Sequence, residues 1–294
     1  MSKQTLYGSP KTRVVMRSDK VHLDGLVISG PELKELREVV KGEANCVMAF
    51  LDINPHWAKL FTNSQHTGLR MYLARNFPEL HEILASDAEG LVRVAVAQVD
   101  DRFHNILVND LFVEVRKAVA EYSTMYHEQL KDDPCWEVRT AVAAKSDTFH
   151  AILKDDPSPW VRAAVARTST TYHDILKNDS DPSVRLAVAR ETDKYDSIFT
   201  YDWHSTIRRA VAERSCTYHG VLVDDPADIV RYAIAVMSDK YHSKYCMDKE
   251  GVIRAVVAKY SDKYDDLLSL DVSPLVMDAI ATRRRYEQAN VVRK

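Results

Sequence analysis

A period of 23 residues runs through most of this chain and limits what it can fold into. Arginine recurs at that interval from Arg70 to Arg254. An aspartate precedes the arginine position by six residues from Asp87 to Asp271, and an alanine follows it by four residues up to Ala281. A repeat this short cannot bury its own apolar side chains, whereas stacked copies share one core through nearest-neighbour contacts. The period therefore predicts a solenoid.

A single repeat, residues 156–178, indicates two helices joined by tight turns. Asp156 is predicted to be the N-cap and Pro157 the first residue of a helix of about eleven residues. Ser169 is predicted to cap a second helix of about eight residues, as are the serines at 123, 146, 215, 238 and 261. Two apolar stripes at helical spacing predict the buried faces: Val161, Ala164 and Val165 on the first helix, and Tyr172, Ile175 and Leu176 on the second.

The predicted fold class is all-α: a right-handed α-solenoid superhelix of about ten to eleven repeats with an N-terminal capping region. We divide the chain into a cap at 1–45, a solenoid at 46–281 and a basic C-terminal tail at 282–294. Within the cap, residues 12–28 favour extended segments and residues 31–41 favour a helix. A dimer contact or second binding element is the alternative for the cap. For the tail, the alternatives are a solvated charged segment and a segment that docks on a partner.

Composition narrows the classes of function. The net charge is −3 and the pI about 6.4, which argue against a general binder of nucleic acids or membrane surfaces. No apolar run reaches the ~18 residues of a membrane span, and the first residues do not read as a signal peptide. We therefore expect a cytoplasmic protein. Because no phosphate-binding loop or nucleophile motif is found, we expect a protein that is not an enzyme and needs no cofactor.

Aspartate and arginine alternate in a ladder that we interpret as structural, since a regular ladder cannot be one active site. A guanidinium can donate to a carboxylate of its own repeat or of the next. The ladder comprises Asp87, Arg93, Asp110, Arg116, Asp133, Arg139, Asp156, Arg162, Asp179, Arg185, Asp202, Arg208, Asp225, Arg231, Asp248 and Arg254.

A second column pairs an aromatic residue with histidine, and aspartate replaces the histidine at Asp196 and Asp265. We expect the aromatic side chains to pack in the core. We expect the histidines to be half-exposed and bonded to a neighbouring turn. The alternative is a pH-responsive or ligand-facing row, for which His127, His150 and His173 are the candidates.

Other candidates for binding are tryptophans and arginines at irregular positions. Trp136, Trp160 and Trp203 lie near the start of the first helix, where they either pack at edges or anchor a partner. Five residues after the ladder arginine the residue type varies between repeats, and Arg167, Arg190 and Arg214 form a short positive patch. The four cysteines fall at different phases of the repeat, so we predict no metal site and no disulfide.

The string DDPSPWVRAAVAR at 155–167 resembles the HEAT-like repeats and, more closely, the variant leucine-rich repeat. Both are α-helical solenoid families, and the resemblance spans residues 87–258 repeat by repeat. The repeat is similar to repeats known from bacteria and phages. The family includes scaffolds, adaptors, inhibitors and a few enzymes, among them HEAT-like DNA glycosylases. The Ser-Asp-x-Tyr-His segment favours a short α-helix over the 3₁₀ turn of the variant type.

Three functions remain open at this point. The first is a non-catalytic protein-binding scaffold, adaptor or inhibitor that uses an extended surface. The second is nucleic-acid binding or a glycosylase-type activity, and the third is a structural assembly subunit. The sequence leaves the partner and the oligomeric state undetermined.

Overall fold

In the computed structural model the structure describes residues 15–17, 20–23, 26–29 and 44–291. The helix predicted at 31–41 lies outside these residues. Three short strands, Val15–Arg17, Lys20–Leu23 and Leu26–Ser29, pair in chain order as an antiparallel sheet. In this sheet Val21 lies opposite both Met16 and Ile28. The extended segments predicted for the cap are thus confirmed, and the repeats that follow are helical.

Each repeat opens with a long helix of ten residues, about as predicted. After the first helix, Ala44–Ile53, the long helices are Thr67–Asn76, Gly90–Val99, Val113–Tyr122, Trp136–Lys145, Pro159–Thr168, Pro182–Glu191, Ser205–Arg214, Asp228–Met237, Gly251–Tyr260 and finally Pro274–Val291. The last helix runs past residue 281, so the predicted start of the tail falls inside it.

The second segment of the repeat differs from the prediction of one eight-residue α-helix. It is a four-residue α-helix, and a three-residue 3₁₀ turn precedes it in several repeats. Between the two stands Tyr172 with φ −102° and ψ 6°, outside α-helical geometry, which divides the segment. The short helices are His81–Leu84, His104–Leu107, His127–Leu130, His150–Leu153, His173–Leu176, Asp196–Phe199, His219–Leu222, His242–Tyr245 and Asp265–Leu268. The 3₁₀ segments are Pro55–Phe61, Pro78–Leu80, Asp101–Phe103, Thr170–Tyr172, Cys216–Tyr218 and Asp239–Tyr241.

The caps are partly as predicted. Ser169 caps its 3₁₀ turn by accepting a hydrogen bond from the Thr171 amide, and the serines at 215 and 238 do the same. The predicted N-cap role of Asp156 is wrong, because the long helix begins at Pro159 with Ser158 as its N-cap. Asp156 instead accepts from the Ser158 amide at 2.8 Å, which closes a turn ahead of the helix.

The core repeats in every unit of sequence. Val161, Ala164 and Val165 are buried as predicted, and Ala166 has no exposed surface. On the short helix only His173 and Leu176 are buried, whereas Ile175 is 54% exposed. The predicted stripe through Tyr172 and Ile175 is therefore wrong: the four-residue helix turns only positions i and i+3 inward. The small alanines let neighbouring long helices lie close together.

The chain forms two compact units, Met1–Phe149 and His150–Lys294. Within each unit, every long helix packs on the long helix of the next repeat, and every short helix packs on the long helix that follows it. Each unit is therefore a stack of helical repeats, as expected for an α-solenoid. We call them the N-terminal unit and the C-terminal unit.

Candidate binding surface

The Asp–Arg ladder joins consecutive repeats. Arg162 donates from Nε and Nη2 to the two carboxylate oxygens of Asp179 in the next repeat, at 2.7 and 2.8 Å. Its Nη1 donates to the main-chain oxygen of Asp156 in its own repeat at 2.7 Å. The same arrangement is formed by seven further pairs: Arg70–Asp87, Arg93–Asp110, Arg116–Asp133, Arg185–Asp202, Arg208–Asp225, Arg231–Asp248 and Arg254–Asp271. These side chains hold repeats together and are not available to a ligand.

Hydrogen bonds and charges from the ladder arginines lower the pKa values of ladder aspartates. Hydrogen bonds from Arg254 are the main reason why the pKa of Asp271 lies below its usual range. Burial alone would raise the pKa of Asp110, but hydrogen bonds from Arg93 and the Phe112 amide outweigh it, so the pKa is lowered. Both carboxylates are therefore stabilised as anions in the folded protein.

The histidine column is buried, so the expectation of half-exposed side chains is wrong. His127 and His173 donate from Nε2 to the main-chain oxygens of Ala120 and Ala166 at 2.7 Å, and His150 is equally buried. The acceptor is the last turn of the long helix in the same repeat, where carbonyl groups lack helical partners. His127, His150 and His173 thus lie beneath the surface and do not form a ligand-facing row.

Aspartate replaces histidine at two positions, and each time an arginine eighteen residues later fills the gap. Asp196 is 2% exposed and accepts from Arg214 Nη1 at 3.1 Å, and the same guanidinium donates to the Thr192 carbonyl. Asp265 likewise pairs with Arg283, which also donates to the Ala258 carbonyl. Arg214 is therefore a buried-pair partner, and the predicted positive patch reduces to Arg167 and Arg190.

The exposed side of the long helices is the candidate binding surface. It consists of the residues two before and five after the ladder arginine, which are half-exposed or exposed, and of the residue one after it, which is buried at Ala163 and at least half-exposed in the other repeats. We call this surface the long-helix face. In the C-terminal unit this face contains Trp160 and Arg167 on one helix and Leu186 and Arg190 on the next. Arg167 and Arg190 occupy the same position on packed neighbouring helices, about 8–10 Å apart.

Further along the C-terminal unit the same face is apolar. Tyr232, Val236, Val252 and Leu275 are all at least 40% exposed, on three successive long helices. Our sequence reasoning missed this cluster. The signal was present, since positions that carry polar or charged residues in several other repeats are apolar at these four sites.

The three tryptophans do not form one site. Trp136 lies in the N-terminal unit and Trp160 in the C-terminal unit, each half-exposed in the first turn of a long helix. Trp203, 71% exposed, lies in the loop before a long helix, with its ring 5.0 Å from the Arg185 guanidinium. Trp203 thus covers a ladder arginine at the loop edge, whereas Trp160 belongs to the long-helix face.

The loops between short and long helices form shallow grooves. One groove of about 420 Å³ in the C-terminal unit is lined by Pro157, Arg162, Ile175 and Asp179 among others. A similar groove of about 440 Å³ in the N-terminal unit is lined by the equivalent Arg70 and Ile83. Because the same groove recurs at equivalent positions, it follows from the repeat rather than from a single specialised site.

Within the described residues, no three His, Cys, Asp or Glu side chains lie close enough to hold a metal ion. Cys135, Cys216 and Cys246 are free thiols. The carboxylate of Glu137 raises the pKa of Cys135, and burial raises that of Cys246, so neither is primed as a thiolate. No helix of the described chain combines the length and apolarity needed to cross a membrane.

Comparison with known proteins places this architecture. No family model and no curated protein matches the chain. A solved structure described as "a leucine-rich repeat variant with a novel repetitive protein structural motif" is 26% identical, with a TM-score of 0.53. The match covers 66% of this chain and 85% of that one. Given this likeness in sequence and fold across the matched repeats, the chain is an α-helical repeat protein similar to the leucine-rich repeat variant.

Proposed function

We propose that this protein is a non-catalytic scaffold, adaptor or inhibitor that binds another protein through the long-helix face. One observation carries the proposal. The buried positions of the repeat hardly change, whereas the long-helix face changes from repeat to repeat, from Arg167 to Glu213 to Val236 at one equivalent position. Packing explains the uniform positions, and variation at exposed positions is what recognition of an irregular protein surface requires.

The apolar cluster of the C-terminal unit supports a protein partner. Tyr232 and Val236 lie on one long helix and Val252 on the next, and these two helices pack together. Aromatic and aliphatic side chains grouped on an otherwise polar face are typical of protein interfaces. The cytoplasmic location and a bacterial or phage source remain predictions of the same proposal.

Affinity capture tests the proposal with matched variants. Tagged wild-type protein, Y232K/V252K and the loop-edge control I175K would each be incubated with cell lysate, with and without nuclease. We expect one protein enriched by wild type and I175K under both conditions and lost with Y232K/V252K. All three substitutions are at exposed positions, so circular dichroism should show unchanged helicity.

The same experiment addresses the other functions. Enrichment of nucleic acid, with all protein signal lost after nuclease, would favour nucleic-acid binding. Failure to enrich any protein would contradict the scaffold proposal. Analytical ultracentrifugation that shows assembly of the purified chain at high concentration would instead favour a structural subunit.

A further inference from the structure

Most arginines of the described chain have a carboxylate partner. Beyond the ladder, Arg102 pairs with Asp100, Arg209 with Glu213, and both Arg283 and Arg284 with Asp265. Among the arginines from residue 44 to residue 289, four form no hydrogen bond or ion pair: Arg75, Arg167, Arg190 and Arg285. Two of these four are neighbours on the long-helix face. The described part of the chain thus presents one couple of unpaired arginines on adjacent long helices.

Apolar side chains lie beside this couple, although the exposed Glu191 directly follows Arg190. Trp160 lies two helical turns before Arg167 on the same side of the helix, and Leu186 lies one turn before Arg190. The next long helix offers Glu213, but its carboxylate is held by Arg209 at 2.7 Å. The surface therefore combines two positive charges about 8–10 Å apart with an indole ring beside them.

We propose that Trp160, Arg167, Leu186 and Arg190 bind an acidic amphipathic segment of the partner protein. This inference rests on the proposed function and specifies the partner's chemistry. Each guanidinium donates two hydrogen bonds to a carboxylate of the partner, in the geometry that the ladder itself uses, and an apolar partner side chain packs on Trp160. Carboxylates seven residues apart on a helix lie on one face and are separated by roughly 10 Å, which matches arginines on neighbouring long helices.

Charge favours a protein segment over a nucleic acid. Specific nucleic-acid binders neutralise roughly 6–10 phosphates, whereas this cluster supplies two unpaired cations. The chain as a whole is acidic, with a net charge of −3, which disfavours binding of a polyanion. The apolar side chains between the arginines also have no use against a phosphate backbone.

A peptide display library provides the test with full-length protein. Wild type, R167E/R190E and the control R75E, which reverses an unpaired arginine of the N-terminal unit, would be screened against random 16-residue peptides. Enriched peptides would be synthesised and their Kd measured by fluorescence anisotropy at low and high salt. A labelled single strand and a labelled duplex of 20 nucleotides would be measured in parallel.

We expect wild type and R75E to enrich acidic peptides that carry aromatic or aliphatic residues. Their affinity should fall about tenfold or more in R167E/R190E, and it should weaken in high salt. Enrichment of neutral or basic peptides, or affinity unaffected by R167E/R190E, would overturn the inference while leaving a protein-binding function intact. Failure to enrich any peptide would overturn it as well, and the lysate capture would then decide the proposed function separately. Arginine-dependent oligonucleotide binding without acidic peptides would overturn both.

Discussion

Removal of Arg214 should destabilise the protein through one buried carboxylate. Asp196 is 2% exposed, and its protein partner is the Arg214 guanidinium at 3.1 Å. Burial raises the pKa of Asp196, and the charge of Arg214 opposes that rise. Substitution to methionine, the residue at the equivalent position 237, keeps the bulk of the side chain but removes the charge.

The size of the effect has an upper limit, since the carboxyl group can take up a proton instead of remaining an unpaired anion. Protonation of a carboxyl of pKa 3.8 at pH 7 costs about 4 kcal/mol. Loss of a buried partner typically costs about 3–5 kcal/mol. Because Arg214 is partly exposed, we expect R214M to lower the free energy of unfolding by about 2–4 kcal/mol at pH 7.

The stability difference between R214M and wild type should depend on pH because the pKa of Asp196 is raised in the folded state. A carboxyl whose pKa is raised in the folded state binds a proton more readily when folded than when unfolded, so its contribution to stability improves as pH falls. Without Arg214 the pKa of Asp196 should rise further. The stability difference between R214M and wild type should therefore shrink between pH 7 and pH 5, as measured by urea unfolding.

Rescue distinguishes this mechanism from loss of packing. The double variant D196H/R214M recreates the pair found at His219 and Met237, where the imidazole donates to a helix carbonyl at 2.8 Å. We expect it to recover most of the lost stability. If D196H/R214M were no more stable than R214M, or if R214M unfolded at the wild-type urea concentration, the reasoning would be refuted.

Other predictions concern the ladder and the histidine column. R231M should lower the free energy of unfolding by about 2–4 kcal/mol, because it leaves Asp248 buried without its guanidinium partner. Urea unfolding measures this loss, and the exposed control R167M should stay within about 0.5 kcal/mol of wild type. H219F should cost about 1–3 kcal/mol by leaving the Ala212 carbonyl buried without its donor, which thermal unfolding would show. The lowered pKa values of ladder aspartates such as Asp271 contribute stability that is present above pH ~4 and is lost as the pH falls further. Acid unfolding followed by circular dichroism should therefore be steep below pH ~4 in wild type and shallower in R254M.

The repeat architecture could be predicted from the sequence because it rests on positions that recur. The aliphatic residues one before and three after the ladder position are buried in every repeat, and periodicity alone identifies them. The details of the second segment could not be predicted in this way. Whether His173 faces inward and Ile175 outward depends on where the 3₁₀ turn ends at Tyr172, a difference in backbone angle that apolar spacing does not record.

The candidate site was predictable in part for the same reason. Arg167 and Arg190 were visible as exceptions at a variable position, but Arg214 lies one residue further along the helix and so faces Asp196 instead of solvent. A shift of one residue rotates a side chain by about 100°, enough to move it from the long-helix face to a buried pair. The position of an arginine within the repeat therefore decides whether its side chain lies on the long-helix face or pairs with a buried aspartate.

Comparison between repeats therefore separates structural from functional residues without any homologue. Where a buried polar residue changes, a second residue changes with it: aspartate at 196 and 265 is accompanied by arginine at 214 and 283, whereas histidine is not. Such coupling indicates a physical requirement within the fold. Arg167 and Arg190 change with no compensating residue in the chain. Their charge is not compensated within the described chain, and this supports the proposal that a partner binds on the long-helix face.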